Sequence, residues 1–150
     1  MAAREIQTCP DCGASWDAIA SCQTAFDEFL TLEFTDQGYG AVHFLTVTCF
    51  FIQHRRFSDR SLSHMQKALR AYLQEGLSAA RLRQQSSAAL QQGERDWKVL
   101  RQPQERVLPR IEWRMTIADV AASYHDAASY RRLVTEWAQA TLDQMGAWER

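Results

Sequence analysis

Four residues within the first 54 positions have the side chains and the spacing of a metal site. Cys9 and Cys12 stand in the segment Cys-Pro-Asp-Cys-Gly, where the proline stiffens the turn and Gly13 lets the backbone fold back toward the thiolates. Cys22 follows ten residues after Cys12, and His54 ends the most apolar segment of the chain. Three thiolates and one imidazole form a tetrahedral ligand set for zinc. The sequence therefore predicts a zinc site at Cys9, Cys12, Cys22 and His54.

A redox-active pair is the competing interpretation of Cys9 and Cys12. A thioredoxin-type motif normally follows a strand and opens a helix, and the eight residues before Cys9 contain no strand of useful length. The N-terminus also lacks the apolar core of a signal peptide, so we expect a cytoplasmic protein whose thiols stay reduced. The context favours metal binding, and sensing of zinc or redox state through a labile site stays open as a further alternative.

The metal site requires two helices that run in opposite directions. Ser21 is suited to cap the first helix, and four apolar residues follow it at helical spacing: Phe26, Phe29, Leu30 and Phe34. Trp16 and Ile19 are expected to pack near the start of this helix. The segment from Tyr39 to His54 also has a helical stripe, formed by Val42, Leu45, Cys49 and Ile52. Turn residues lie between the two segments, with Gly38 and Gly40 flanking the second one, and this order predicts an antiparallel helical hairpin.

The hairpin distinguishes the two histidines of the second helix. Cys22 lies about twelve residues before the turn and His54 about fourteen residues after Gly40, so they should lie at the same end of the hairpin. His43 and His54 are eleven residues apart, which is ~16 Å along a helix. A zinc–nitrogen bond is only ~2 Å long. We therefore expect His54 at the cysteine end and His43 beside Glu33 at the turn.

His43 and Glu33 leave two interpretations open. In the first, His43 is partly buried and is hydrogen-bonded to Glu33 or to a backbone carbonyl. In the second, it is a catalytic base or a ligand of a second metal, together with Glu33 and Tyr39, because a neighbouring carboxylate can tune an imidazole for proton transfer. The alternative function is thus a metal-dependent enzyme that uses Glu33 and His43, or a three-cysteine zinc site left open because His54 is not a ligand.

The rest of the chain predicts helices and one extended segment. A helix capped near Ser58 should end at Gly76, and a more polar helix should run from Ser78 to Gly93. Residues 97–115 contain Pro103 and Pro109, so an extended strap anchored by Trp97 and Trp113 is expected. Arg101, Arg106, Arg110 and Arg114 alternate through this strap, and we expect them at the surface rather than around an anionic ligand. Thr116 and Asp126 are suited to cap the last two helices, and His125 between them is expected to be a local surface residue.

Together these features predict an all-α fold: a bundle of about five or six helices with an N-terminal zinc knuckle and an extended strap that contains Trp and Pro. We expect one zinc-binding helical domain over residues 1–150. The formal net charge is −1, which gives no general attraction to nucleic acid or to an anionic membrane. No apolar run reaches the ~18–20 residues of a membrane-spanning helix.

The sequence says less about the function of the protein than about its fold. The chain contains no His-Glu-x-x-His, nucleotide-binding loop or serine-nucleophile motif. A shell of three cysteines and one histidine leaves no position for water, and closed zinc shells are structural. The sequence therefore favours a structural zinc site in a module that binds a protein or a small molecule. It assigns neither the partner nor the oligomeric state.

The motifs also resemble a bacterial family described as a domain of unknown function. The resemblance lies in Cys-Pro-x-Cys-Gly, Ser21-Cys22, Tyr39-Gly-x-Val-His43-x-Leu-x-Val and Gln53-His54, and it extends to Trp97, Thr116–Val120 and Trp137-Ala138. It implies that the three cysteines and both histidines recur in the family, usually with proline after the second histidine. Arg55 stands at that position here, which should change how the helix ends but leave the ligand unchanged.

Overall fold

A computed structural model of the chain describes residues 5–17, 19–82, 84 and 98–149. Within these residues the fold is mainly α-helical, with one two-stranded antiparallel sheet near the N-terminus. The strands are β1 (Gln7–Thr8) and β2 (Ser15–Trp16), and the helices are α1 (Cys22–Thr35), α2 (Gln37–Gly40), α3 (His43–Gln53), α4 (Asp59–Gln74), α5 (Ile117–Ser123) and α6 (Ala127–Met145). A short 3₁₀ helix, Gly146–Trp148, ends the fold.

The helices begin at the polar residues that the sequence marked as caps. Ser21 and Thr24 form a reciprocal capping box at the start of α1, and Thr116 does the same with Asp119 at α5. Asp126 caps α6, and Ser58 accepts a hydrogen bond from the backbone N–H of Ser61 in α4. Each cap provides an acceptor for an N–H group that has no partner within its own helix. The bounds of these four helices therefore follow from local sequence.

The core forms where α3 packs between α1 and α6. The α3 stripe of Val42, Leu45, Cys49 and Ile52 is buried, as predicted. On α6 a continuous face is buried against it, formed by Tyr130, Leu133, Val134, Trp137, Ala138 and Thr141. Phe26 of α1 stacks on Phe50 of α3 with ring centroids 4.0 Å apart. The predicted antiparallel pair of α1 and α3 is therefore the centre of the fold.

A helical turn, rather than a loop of glycines, joins α1 to α3. Gly38 and Gly40 both lie inside the four-residue helix α2, whereas the sequence suggested turn residues outside a helix. A Cβ atom added to Gly40 would lie 2.5 Å from the carbonyl oxygen of Glu33. Glycine is thus required at residue 40 because α2 packs directly on the last turns of α1.

The predicted strap is present in the described residues 98–115, which contain no helix. Its first part pairs with the chain between α3 and α4, since the N–H of Ser58 donates to the carbonyl of Val99 and Arg101 donates to that of Arg56. Trp113 is buried and packs edge-to-face on Trp148. Trp97, the other expected anchor, lies outside the described residues. The four strap arginines are exposed, as expected.

Two apolar residues are not where periodicity placed them. Ile19 is 95% exposed and Phe34 is 74% exposed, so neither packs in the core. Phe34 lies on the helical stripe, but it extends beyond the region where α3 and α6 cover α1, and its ring contacts His43 instead. Ile19 lies in the segment between β2 and α1, where helical spacing gives no information about packing.

The region after α4 is described only in part. Gly76 ends α4 with a φ of +69°, as predicted. Ser78 accepts a hydrogen bond from the N–H of Arg81, and residues 79–82 are helical. Most of the helix expected up to Gly93 lies outside the described residues. None of the described helices is both long enough and apolar enough to cross a membrane.

Candidate metal centre

The N-terminal hairpin brings Cys9 and Cys12 together. In the β1–β2 ladder Gln7 pairs with Trp16 and Thr8 with Ser15. Between the strands, the N–H of Gly13 donates to the carbonyl of Cys9 and the N–H of Cys9 donates to that of Ala14, at 2.9 and 2.8 Å. Gly13 has a φ of +81°, a conformation that residues with a side chain rarely adopt. This tight turn places both cysteines on one loop.

The two central helices bring the other two residues to the same place. Cys22 is the first residue of α1, and His54 directly follows the last residue of α3. One ligand atom from each of Cys9, Cys12, Cys22 and His54 lies within 4.8 Å of the other three. The sulfurs of Cys12 and Cys22 are 3.5 Å apart. Two sulfurs bound to one tetrahedral zinc lie about 3.8 Å apart, since each Zn–S bond is ~2.3 Å long. The four residues therefore lie close enough together to hold one metal ion.

His54 presents a specific nitrogen to this cluster. Its Nδ1 lies 2.7 Å from the carbonyl oxygen of Phe50, so Nδ1 carries the proton and donates it. Nε2 is buried and has no hydrogen-bond partner among the described residues. Stacking on the Phe50 ring, at 4.2 Å between centroids, also holds the imidazole in place. Protein histidines that bind metal through one ring nitrogen commonly donate from the other to a carbonyl or carboxylate. The unpartnered Nε2 thus fits a metal ligand.

The electrostatics of the cluster favour a thiolate at Cys22. The indole N–H of Trp16 donates to its sulfur at 3.2 Å, and the exposed amides at the start of α1 add a favourable field. Contact with Cys12, together with the N–H of Trp16, lowers the pKa of Cys22. The same contact and burial raise the pKa of Cys12. A cation at this point would favour the deprotonated form of every thiol around it.

Arg55 connects the cluster to the rest of the fold. Its guanidinium donates to the Asp11 carboxylate at 2.7 Å and to the Leu108 carbonyl at 2.8 Å. It therefore holds the knuckle against the end of α3 and against the strap. The backbone of Arg55 has a φ of +55°, which proline cannot adopt. A proline at this position would therefore require a different end to α3.

The arrangement of Cys9 and Cys12 differs from a redox-active pair. All four cysteines are free thiols. Cys9 and Cys12 lie in a hairpin turn, and the next helix begins ten residues after Cys12, whereas a thioredoxin-type motif opens a helix. Cys49 lies apart from the cluster in the core, where complete burial raises its thiol pKa to about 12. Cys49 is thus a core residue, as predicted.

A second polar cluster lies at the opposite end of the α1–α3 hairpin. The Nδ1 of His43 is 2.7 Å from Oε1 of Glu33, which confirms that the two residues lie level with each other. The Glu33 side chain is completely buried, while that of His43 is 41% exposed. Thr46 donates to Oε2 of Glu33 at 2.6 Å, and the Tyr130 hydroxyl donates to the same oxygen. The first interpretation allowed Glu33 or a backbone carbonyl as the partner of His43, and the structure shows Glu33.

Sequence reasoning missed Thr46 and Tyr130 and named the wrong tyrosine. Tyr39 packs its ring on Tyr130, 5.0 Å between centroids, whereas the hydroxyl that reaches Glu33 belongs to Tyr130. The signal that could have indicated Tyr130 is general: a buried tyrosine hydroxyl normally requires a hydrogen-bond partner. His125 is largely exposed and lies near Asp126, as expected of a local surface residue. Among the described residues, the cysteine–histidine cluster is the one group of three or more potential metal ligands.

Comparison with known proteins gives a family but no activity. No curated protein and no solved structure matches the chain significantly. Residues 7–146 match one family, so the match includes both strands, all six helices and all four clustered ligands. The chain therefore belongs to the family of unknown function DUF5946.

Proposed function

We propose that the protein is a zinc-stabilised helical domain in which Cys9, Cys12, Cys22 and His54 bind one structural Zn²⁺. The observation that carries this proposal is made at His54: a ring nitrogen lies within 4.8 Å of three cysteine sulfurs, and Nε2 is buried without a hydrogen-bond partner among the described residues. An unpaired buried nitrogen costs free energy, and a metal bond would remove that cost. The metal would connect the N-terminal hairpin to the start of α1 and the end of α3.

Zinc fits this ligand set better than other common metals do. Three thiolates and an imidazole are soft to borderline ligands, which suit Zn²⁺ and do not suit Mg²⁺ or Ca²⁺. Four protein ligands complete a tetrahedral shell, so we propose a structural ion rather than one that activates water. Three thiolates around Zn²⁺ carry a net charge of −1, and the N–H of Trp16 is placed to offset part of it.

The proposed domain spans the whole chain and works where thiols stay reduced, as in the cytoplasm. Its task would be to bind a protein or a small molecule. A metal-dependent reaction at Glu33 and His43 has less support, because no third metal-ligating side chain joins them in the described part of the chain. An open three-cysteine site would require His54 to leave the cluster, and its hydrogen bond to Phe50 opposes that movement.

Element analysis of the purified protein tests the proposal directly. We expect one zinc per chain, with Cys22→Ala and His54→Ala each losing most of the metal and much of the thermal stability. Cys49→Ala is the matched control, because it also removes a buried thiol but lies outside the cluster. Cys49→Ala should be somewhat less stable than the wild type, because the substitution leaves a cavity in the core, and it should keep its zinc. Full zinc occupancy and an unchanged melting temperature in His54→Ala would refute the assignment.

A further inference from the structure

A cleft of about 990 Å³ lies between α3 and α4, away from the proposed zinc site. We call it the α3–α4 cleft. The described part of its wall is mostly apolar and includes Phe44, Val47, Phe51, Met65, Leu82 and Val99. Pockets that bind small molecules are typically ~300–1,000 Å³ and mainly apolar, with a few polar groups that orient the ligand. The size and wall of this cleft fit an apolar small molecule.

His43 supplies an orienting polar group. It lines the cleft, and in the described structure its side-chain hydrogen bond is made through Nδ1 to Glu33. Glu33 in turn accepts hydrogen bonds from Thr46 and Tyr130, and burial together with Glu33 raises the pKa of Tyr130, which keeps the phenol protonated as a donor. These contacts hold the imidazole in an orientation in which its Nδ1–H donates to Glu33. Nε2 is then the nitrogen that can meet a ligand.

The charges along the cleft indicate an acidic ligand. In the described part of the wall, the side chains that carry or can accept positive charge are His43, His64 and Lys67. Glu75 is the one carboxylate in that part. A carboxylic acid can share a proton with Nε2 whichever partner holds it, and an anion would also be attracted to Lys67. A primary ammonium group would be repelled by Lys67 and, unlike a carboxylate, cannot pair with a protonated imidazole.

We propose that the α3–α4 cleft binds a small carboxylic acid with an apolar acyl or aryl body, its carboxyl group on Nε2 of His43 and its body along the α3 and α4 side chains. This goes beyond the structural zinc site and specifies the small-molecule form of the proposed binding task. The carboxyl contact at His43 and the zinc site lie at opposite ends of the α1–α3 hairpin, so each can be tested while the other is monitored.

Calorimetric titration of the zinc-loaded full chain with decanoate is the first measurement. We expect saturable binding of one decanoate per chain, and weaker binding of decanol and decylamine, which have a body of the same length. In His43→Phe the affinity should fall by about tenfold to hundredfold, the loss expected for one charge-assisted hydrogen bond. His125→Ala is the matched control, because the His125 imidazole is exposed and lies outside the cleft wall. The affinity of this variant for decanoate should equal that of the wild type.

Two further measurements decide the result if His43→Phe folds poorly. Ala71→Trp should fill the cleft from α4 without touching the contacts of Glu33, and it should abolish binding. In imidazole ¹⁵N spectra, decanoate should shift Nε2 of His43 and leave His54 unchanged. The proposal is overturned if the three compounds bind equally, if decanoate does not bind, or if Ala71→Trp leaves its affinity intact. Zinc content measured on the same samples separates these outcomes from a failure of the metal site.

Discussion

At the scale of single residues, the strongest polar feature outside the metal centre is the contact between Tyr130 and Glu33. A buried carboxylate is costly unless its oxygens are hydrogen-bonded. Tyr130 and Thr46 donate to one oxygen of Glu33, and His43 is bound to the other. Removing one donor therefore leaves a buried charge less well satisfied, although the fold keeps its shape.

Tyr130→Phe should therefore lower the free energy of unfolding by about 1–3 kcal/mol, since it removes a buried hydrogen bond to a charged group with little change in volume. Urea denaturation followed by circular dichroism measures the loss. Tyr124→Phe is the matched control, because Tyr124 packs on the same aromatic cluster but is only partly buried, and we expect a change below about 0.5 kcal/mol. Equal effects of the two changes would show that the hydroxyl of Tyr130 contributes nothing specific.

His54 could be inferred from sequence, and Tyr130 could not. The position of His54 depends on the length of one helical hairpin, and the rise of a helix per residue is fixed. The contact between Glu33 and Tyr130 joins residues 97 positions apart, and it depends on which face of α6 meets α1. Helical spacing can show that a face is apolar, but it does not give the angle of that face relative to Glu33.

At the scale of elements, the short helix α2 determines how closely α1 and α3 approach. Its last residue, Gly40, lies against the backbone of Glu33, where a Cβ atom would come within 2.5 Å of the carbonyl oxygen. That atom belongs to the main chain of a packed helix, so it cannot move aside as the end of a flexible side chain could. A substitution at Gly40 must therefore shift α2 relative to α1.

Gly40→Ala should destabilise the protein by about 1–3 kcal/mol, the range typical of overpacking. Because the displaced backbone belongs to Glu33, the amide signals of His43 and Thr46 should also shift in NMR spectra. Gly146→Ala is the matched control: an added Cβ there meets no atom within 4 Å, and Gly146 has a φ of −55°. The control should be neutral or stabilising by up to about 1 kcal/mol. A Gly40→Ala protein as stable as the control would contradict the close approach of α2.

Local sequence predicted most element starts, because a cap is a local hydrogen bond between residues about three positions apart. The bounds of α1, α5 and α6 follow from Ser21, Thr116 and Asp126 for this reason. The exposure of Phe34 was not predictable in the same way. Helical spacing shows which side of α1 it shares with Phe26, but not how much of the Phe34 ring the neighbouring helices leave exposed.

At the scale of the whole molecule, the candidate metal centre joins the N-terminal hairpin to a continuous core, since Cys12 and Cys22 belong to the same buried cluster as the helix side chains. The side chains at the centre of the core, Phe29, Leu45, Tyr130, Val134 and Trp137, include none of the four metal-centre residues. The N-terminal hairpin, in contrast, has a ladder of two residue pairs and few long apolar side chains of its own. Hairpins of this size are not stable alone in water. Its contacts with the helices include Arg55 to Asp11 and the indole N–H of Trp16 to Cys22, and the proposed metal would add a further link.

Removing the metal should consequently release the hairpin while leaving the helices formed at 25 °C. With a strong chelator such as 1,10-phenanthroline, we expect the helical circular dichroism to persist and the melting temperature to fall by on the order of 10 °C, because structural metal binding is coupled to folding.

A thiol reagent should then label Cys9, Cys12 and Cys22, while Cys49 stays unlabelled until the protein unfolds, since it is fully buried and its pKa is raised to about 12. Labelling of Cys49 together with the other three would mean that the metal supports the whole core. An unchanged melting curve after confirmed metal loss would mean that the hairpin is held by its other contacts alone.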